Sequence, residues 1–365
     1  MGNIHIRFAE DGDNDRILEL SKRCPQEGMV TFFVNRTPRY NTLHRLLDPH
    51  AWHLVACMED RIIGLVGIIH FNARILDKPH KVGFMLDLRI EPAYRNGLST
   101  FRLIKAAADR ILQSDVDMVI VNILKNNNRP LSLISGRTGL PAARYIGDNR
   151  IFNILPMKFM RLNQRFEIDE PTANDIPEII ELYRSYGSKF KIAPLITVEL
   201  FNHYLTVIEG FDLSNFLIAR ENGKIKAITG MWNEHTYKSY QVLQFNSAIK
   251  FTMRTLKFLS LFMRAPQPIK LNEPLRQLSL VLYAHDNCPQ ALETLFRHAN
   301  NINLGSDFTF ISLYAHESDP LFGLLKGFNC VNVKSEMHLF AKDATVLDEL
   351  INNHAPVQLD LAMIL

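Results

Sequence analysis

Between Phe84 and Ala108 the chain reads FMLDLRIEPAYRNGLSTFRLIKAAA, and the residue types that could do chemistry are concentrated there. Phe84 to Ile90 is an apolar, strand-like run that Pro92 ends; Arg95-Asn96-Gly97 turns the chain, and an amphipathic helix follows at once through Arg110. A strand that delivers a glycine loop to a helix N-terminus makes an anion site. The first-turn amides lack intrahelical partners, the helix dipole favours negative charge, and glycine lets the backbone approach a ligand. The amides of Asn96, Gly97, Leu98, Ser99 and Thr100 are the candidate donors, with Arg95 beside them. A turn with glycine in a left-handed conformation is the purely structural reading of the same loop. Asp87 interrupts the apolar strand, and burial gives a carboxylate reason to become basic; its structural alternative is partnership with Arg89 or Arg144. Cys24, Cys57, Cys288 and Cys330 show no C-x-x-C spacing, and His235 has no ligand partner at metal spacing, so no metal is expected.

The elements around this stretch must fill a chain of 365 residues, 47% hydrophobic and 22% charged, which is enough for a full core and reads as two domains. The net charge of +3 comes without a lysine- or arginine-rich block, which argues against a nucleic-acid partner. The start, MGNIHIRFAEDGD, lacks a hydrophobic signal core and no apolar run approaches membrane-spanning length, so a cytoplasmic location is expected.

His5 to Ala9 alternates like a strand, and Asp13 or Asn14 can cap a helix with an apolar face at Ile17, Leu18 and Leu20. The middle of the chain repeats this: Phe166 to Asp169 alternates, and Asn174-Asp175 precedes Ile179, Ile180 and Leu182. LVACMEDRIIGLVGI, from Leu54 to Ile68, aligns without a gap on LIARENGKIKAITGM, from Leu217 to Met231, each a hairpin around a polar turn. A repeat of about 160 residues is a duplicated domain. Copy one continues with the glycine loop and helix, a strand Asp117 to Leu124, a short helix after Asn128-Arg129-Pro130, and a last hairpin from Ala143 to Pro156. Copy two continues with a strand Leu278 to Ala284, a helix Pro289 to Asn300, a strand Phe308 to Tyr314, a short helix Asp319 to Lys326 and a last strand Ser335 to Ala341. The boundary falls near Leu162-Asn163-Gln164, giving domains 1–162 and 163–342 and a tail 343–365. Each half is α/β (α+β), a mixed, mostly antiparallel sheet flanked by helices. Copy two also inserts an apolar helix, 251–265, bearing Arg254, Lys257 and Arg264. We read it as packed on the opposite domain with its basic ends reaching water; a membrane-surface or acyl-chain contact is the other reading.

The strand, loop and helix from Phe84 resemble the fourth strand, pyrophosphate loop and third helix of the GCN5-related N-acetyltransferases (GNAT), whose loop reads Gln/Arg-x-x-Gly-x-Gly/Ala. Here Gly97 comes one residue early after Arg95, so either the loop is one residue short or Tyr94 takes the first place, with Gly97 and Ser99 in the small positions. The order of elements, with Asn128-Arg129-Pro130-Leu131 before Gly136-Arg137-Thr138-Gly139-Leu140-Pro141, and Asp319-Pro320-Leu321 before Leu324-Leu325-Lys326-Gly327-Phe328, is similar to tandem GNAT proteins of bacterial type.

That resemblance implies acetyl-CoA bound by copy one, its diphosphate on the Asn96–Thr100 amides and its pantetheine beside Leu88, Arg89 and Ile90, with Asn128 also contacting the cofactor. It implies acetyl transfer to an amine, with Asp87 as base. Ser135 stands where the family keeps a tyrosine acid, and Gly323 where copy two would; Tyr145 or a water then protonates the thiolate. Copy two has Ala284-His285-Asp286-Asn287-Cys288-Pro289-Gln290 at its loop, without glycine and with Asp286 adverse to phosphate, so one coenzyme A per chain is expected. Trp232 and His235 fall at the acceptor end of the cleft, although Trp232 also suits a core or domain interface. The acceptor is a small-molecule or peptide amine, and a homodimer is compatible. A non-catalytic acyl-CoA- or metabolite-binding protein, or an acyltransferase with a longer acyl donor, are the alternatives.

Overall fold

The first copy starts with β1 (Ile4–Phe8), α1 (Asn14–Arg23), β2 (Val30–Asn35) and α2 (Thr42–Leu47). It continues through β3 (Trp52–Met58), β4 (Arg61–Ile75), β5 (Lys78–Ile90), α3 (Leu98–Gln113), β6 (Met118–Leu124) and β7 (Arg144–Ile154). In this computed structural model the described residues are 4–28, 30–95, 98–125, 134, 136, 142–259 and 266–360. The second copy opens with β8 (Glu167–Asp169), α4 (Ile176–Gly187), β9 (Ile192–Pro194) and α5 (Val198–Val207). Then come β10 (Phe216–Glu221), β11 (Lys224–Trp232), β12 (Ser239–Phe245), α6 (Ser247–Leu259) and β13 (Pro274–Leu275). It closes with β14 (Gln277–His285), α7 (Pro289–Ile302), β15 (Phe310–His316), β16 (Cys330–Ala341) and α8 (Ala344–Asn352).

The aligned hairpins form as the sequence suggests. Glu59, at φ 52, turns β3 into β4, while Asn222 and Gly223, at φ 51 and 76, turn β10 into β11, all left-handed positions that tight hairpins require. Helix faces follow the 3.6 period: α3 buries Leu103, Ile104, Ala107 and Ile111, and α7 starts on Pro289 and buries Ala291, Leu292, Leu295, Phe296 and Ala299.

One large sheet runs β1-β3-β4-β5-β6-β16-β7-β15-β14-β11-β10-β8, with β9 attached to β4. Among the described residues, only β5–β6 and β14–β15 of its strand ladders are parallel. The halves exchange their last strands. β16, from the second copy, lies between β6 and β7, and β7, from the first, lies between β16 and β15. A second sheet, β13-β12-β2, also mixes the halves. The largest core cluster accordingly joins Leu43, Leu47 and Phe84 to Phe201, Phe216 and Leu280, so one hydrophobic core serves both.

Several sequence expectations are corrected. Ala143 to Pro156 is one strand, β7, because its partners come from the second copy and it has no need to pair with itself. β5 begins at Lys78, extending back through a turn at Leu76 and Asp77 that the apolar pattern does not mark. The inserted helix begins at Ser247; Ile249 and Met253 pack with Leu155, Val242 and Phe310, while Phe251 and Phe258 are 73% and 61% exposed. Residues 260–265 and the short helix expected after Asn128-Arg129-Pro130 lie outside the described residues. Among the described residues no helix is long and apolar enough to cross a membrane.

Candidate active site

Each copy opens its sheet at the same place. In the first, parallel pairing of β5 with β6 runs from Val82↔Met118 to Met85↔Val121 and stops; two residues later Asp87 takes φ 53. In the second, pairing of β14 with β15 runs from Gln277↔Phe310 to Leu280↔Leu313 and stops; two residues later Leu282 takes φ 53. The register also slips at matching points. Two residues, Asp87 and Leu88, face Val66 alone, and Leu282 and Tyr283 face Thr229 alone. Setting Leu54 on Leu217 places Val66 on Thr229, so both bulges occupy one repeat position. A bulge re-aims backbone amides out of the ladder and bends the strand, and the parallel pairing ends just before it in both copies.

In the second copy the C-terminal segment of the chain takes the bulge amide, beside a cavity lined by Leu47, His70, Tyr183, Tyr204, Leu282 and Asp360. Asp360 Oδ2 accepts from the Leu282 amide at 2.6 Å, Gln358 Nε2 donates to the Tyr283 carbonyl at 3.3 Å, and the Tyr183 hydroxyl donates to the Leu282 carbonyl at 2.6 Å. The segment carrying Asp360 is anchored beside β9, where the Gln358 amide donates to the Ile192 carbonyl at 2.9 Å. For the first copy, no side chain among the described residues accepts from the corresponding Asp87 amide.

Around Asp87 the fold gathers Arg89, one of its two expected partners, with Arg36, His44 and His53, which no spacing in the chain connects to it. Arg89 Nη2 donates to Asp87 Oδ1 at 2.9 Å, and Arg36 Nη2 lies 3.5 Å from Asp87 Oδ2. His44 Nδ1 and His53 Nε2 share a hydrogen bond of 3.1 Å, with Tyr40 edge-on to His53. Across the copy boundary, Lys238 pairs with Glu234 at 2.9 Å with both side chains buried, and Gln277 donates to the other Glu234 oxygen. Burial alone pushes the Asp87 carboxyl up, but the attraction of Arg36 and Arg89 outweighs it and holds the group well below the usual carboxylate range. The expected basicity of Asp87 therefore does not arise; its environment is that of the ion-pair alternative. Burial pushes His53 down to about 4 and His44 well below the ordinary histidine value, so both rings are neutral near pH 7.

His44, His53 and Asp87 offer ligand atoms within 4.8 Å of one another, a set able to hold a metal ion. The two guanidiniums on the same carboxylate oppose a third cation there.

The other expected site residues are distributed as follows. Leu88 and Ile90 pack with Leu103 and Ala107 on the α3 face, and the Arg89 side chain turns the other way, to Asp87. Arg95 Nε donates to the Ile90 carbonyl at 2.9 Å, and Thr100 Oγ1 donates to the Arg95 carbonyl at 3.3 Å, tying the loop to the start of α3. Leu98 is 65% exposed and Ser99 is buried. Asn96, Gly97 and Asn128 lie outside the described residues, as does Ser135.

Tyr145 is not brought to this site. The ladder runs from Met85 through Val121 and His338 to Tyr145, three strand spacings or roughly 14 Å, and its hydroxyl donates to Asp148 at 2.8 Å. Burial and that carboxylate both raise its pKa. Trp232 is fully buried against Phe211, in the core. His235 Nε2 accepts from the Gln277 amide at 3.4 Å, and burial lowers its pKa. Asp286, expected to repel phosphate, is paired with Lys226 at 2.8 Å.

No protein-family model matches the chain, and no curated protein matches it in sequence. Solved structures do match it in shape. N-myristoyltransferase of Saccharomyces cerevisiae, solved with bound myristoyl-CoA, superposes with a TM-score of 0.61 at 14% identity over 93% of this chain and 83% of that one. A probable N-acyltransferase of Enterococcus faecalis gives 0.55 at 9% identity, covering 94% of this chain and 74% of that one. A GCN5-related N-acetyltransferase of Anabaena variabilis gives 0.56 at 9%, with the same coverage. These neighbours are N-acyltransferases, and the fold of this chain is the GNAT fold.

Proposed function

We propose that the chain is an N-acyltransferase that takes a coenzyme A thioester in the cleft of its first copy and passes the acyl group to an amine. The observation that carries this reading is the pair of matching bulges, one capped by Asp360 and the other, at Asp87, directly ahead of the Arg95 loop and α3. The Asn96–Thr100 amides at the start of α3 would hold the diphosphate, and the edge of β5 from Leu88 to Ile90 the pantetheine. Bound there, the thioester supplies an activated acyl group. The Asp87 bulge amide donates to the carbonyl oxygen as negative charge develops on it. Asp87 itself holds Arg36 and Arg89 in place. The amine attacks in its neutral form, and as the C–S bond breaks its surplus proton passes to the departing coenzyme A thiolate, leaving amide and free thiol, a step that needs no basic carboxylate.

We assign acetyl as the acyl group, because the side chains gathered at Asp87, namely Arg36, Arg89, His44 and His53, are charged or polar and poor company for a long alkyl chain. The experiment is thiol release from acetyl-CoA and from myristoyl-CoA across a panel of amines. Turnover with acetyl-CoA is expected; release only from myristoyl-CoA would replace the donor, and binding without turnover would leave a non-catalytic protein.

A further inference from the structure

The two arginines beside the bulge are buried with hydrogen-bonding capacity to spare. Arg36 and Arg89 are each 8% exposed, yet Arg36 Nη1 and both Nε and Nη1 of Arg89 are buried without a hydrogen-bond partner, as is His44 Nε2. Buried guanidinium donors are ordinarily satisfied, because each one left unmade forfeits its hydration without return. The charge count points the same way. Arg36 and Arg89 share the single charge of Asp87 and make no other ion pair among the described residues, which leaves one positive charge over at that carboxylate.

We infer that Arg36 and Arg89 receive a carboxylate of the acceptor, so that the amine acylated at the Asp87 bulge belongs to an amino acid. Resting on the acyltransferase reading, this names the substrate class of that site. A single carboxylate balances the surplus charge and accepts from planar guanidinium donors, whereas a phosphate dianion would overshoot it. In an α-amino acid, amine and carboxylate share one carbon, so a carboxylate at arginines that touch Asp87 keeps the nitrogen close to the bulge formed by that residue. Both arginines come from the first copy, and the Lys238–Glu234 pair behind them from the second, so the acceptor site needs both halves.

The test is calorimetric titration of the coenzyme A-saturated chain with each common amino acid, its amide, and the amine lacking the carboxyl group. The amide stands for a peptide N-terminus. At least one amino acid is expected to bind about tenfold or more tightly than both its analogues. Arg36→Gln should abolish that preference, and Arg36→Lys, which keeps the charge and loses the fork, should reduce it several-fold. Coenzyme A titration of each variant reports that it is folded. Equal or tighter binding of the carboxylate-free amines, no binding by any amino acid, or a preference that survives in Arg36→Gln would each overturn the inference while leaving coenzyme A binding intact. Failure of the unmodified chain to bind coenzyme A would instead remove the reading on which the inference rests.

Discussion

Asp87 carries opposite predictions according to whether it acts as a base or as the anion that holds two arginines. Removing one member of a buried ion cluster strands the others, at a cost of about 3–5 kcal/mol. Asp87→Asn should therefore lower stability by that order in urea unfolding; a variant as stable as the parent with turnover reduced would restore the base. Because its folded pKa lies below the unfolded one, the contribution of Asp87 is fully present above about pH 4 and is lost as pH falls toward the folded value. Asp319 behaves in the opposite sense. Burial raises it to about 6, against hydrogen bonds from the Leu321 amide and the Tyr283 hydroxyl. Between about pH 4 and 6 the folded chain keeps a proton that the unfolded chain has lost, so stability falls across that window as pH rises, by about 2–3 kcal/mol. In Asp319→Asn that step should disappear from a comparison of unfolding at pH 4.5 and 7.5; an unchanged step would place it elsewhere. At this scale little was legible in sequence. Asp87 stood out as a charge in an apolar strand, but Arg36, His44 and His53 have no telling spacing, and folding alone brings them to it.

Among elements, the hairpins, the α3 and α7 faces and the repeat were readable because each depends on neighbours within a few residues or on one alignment. The exchange of β7 and β16 was not, since a strand buried on both sides reads the same whichever chain segment flanks it. The bulges also leave no mark: Leu-Asp-Leu and Val-Leu-Tyr share no turn residue. The exchange has a direct consequence. Residues 1–162 alone keep β7 but lose both its neighbours, and β6 loses β16. Unpaired strands buried in the native sheet carry unsatisfied amides and apolar faces. The fragment is expected to be unfolded or aggregated by circular dichroism and size-exclusion chromatography, and co-expression with 163–365 should recover a folded complex. A monomeric, folded fragment 1–162 would contradict the importance given to the exchange.

For the whole molecule, the two copies share one core and one continuous sheet, yet differ in what stands on their bulges. The sequence suggested a single cofactor site from the missing glycine and from Asp286. Lys226 neutralises Asp286, so that part of the argument falls away, and the proposal of a single site rests instead on Asp360, which occupies the Leu282 amide. That contact links positions 78 residues apart and has no sequence signature. The account as a whole stands on where coenzyme A binds, and calorimetry measures that directly. Titration of the intact chain should give one coenzyme A per chain, and Gly97→Glu, which sets a carboxylate at the diphosphate, should weaken binding by several kcal/mol, roughly a hundredfold or more. Two equivalent sites, no binding, or unchanged affinity in Gly97→Glu would contradict it.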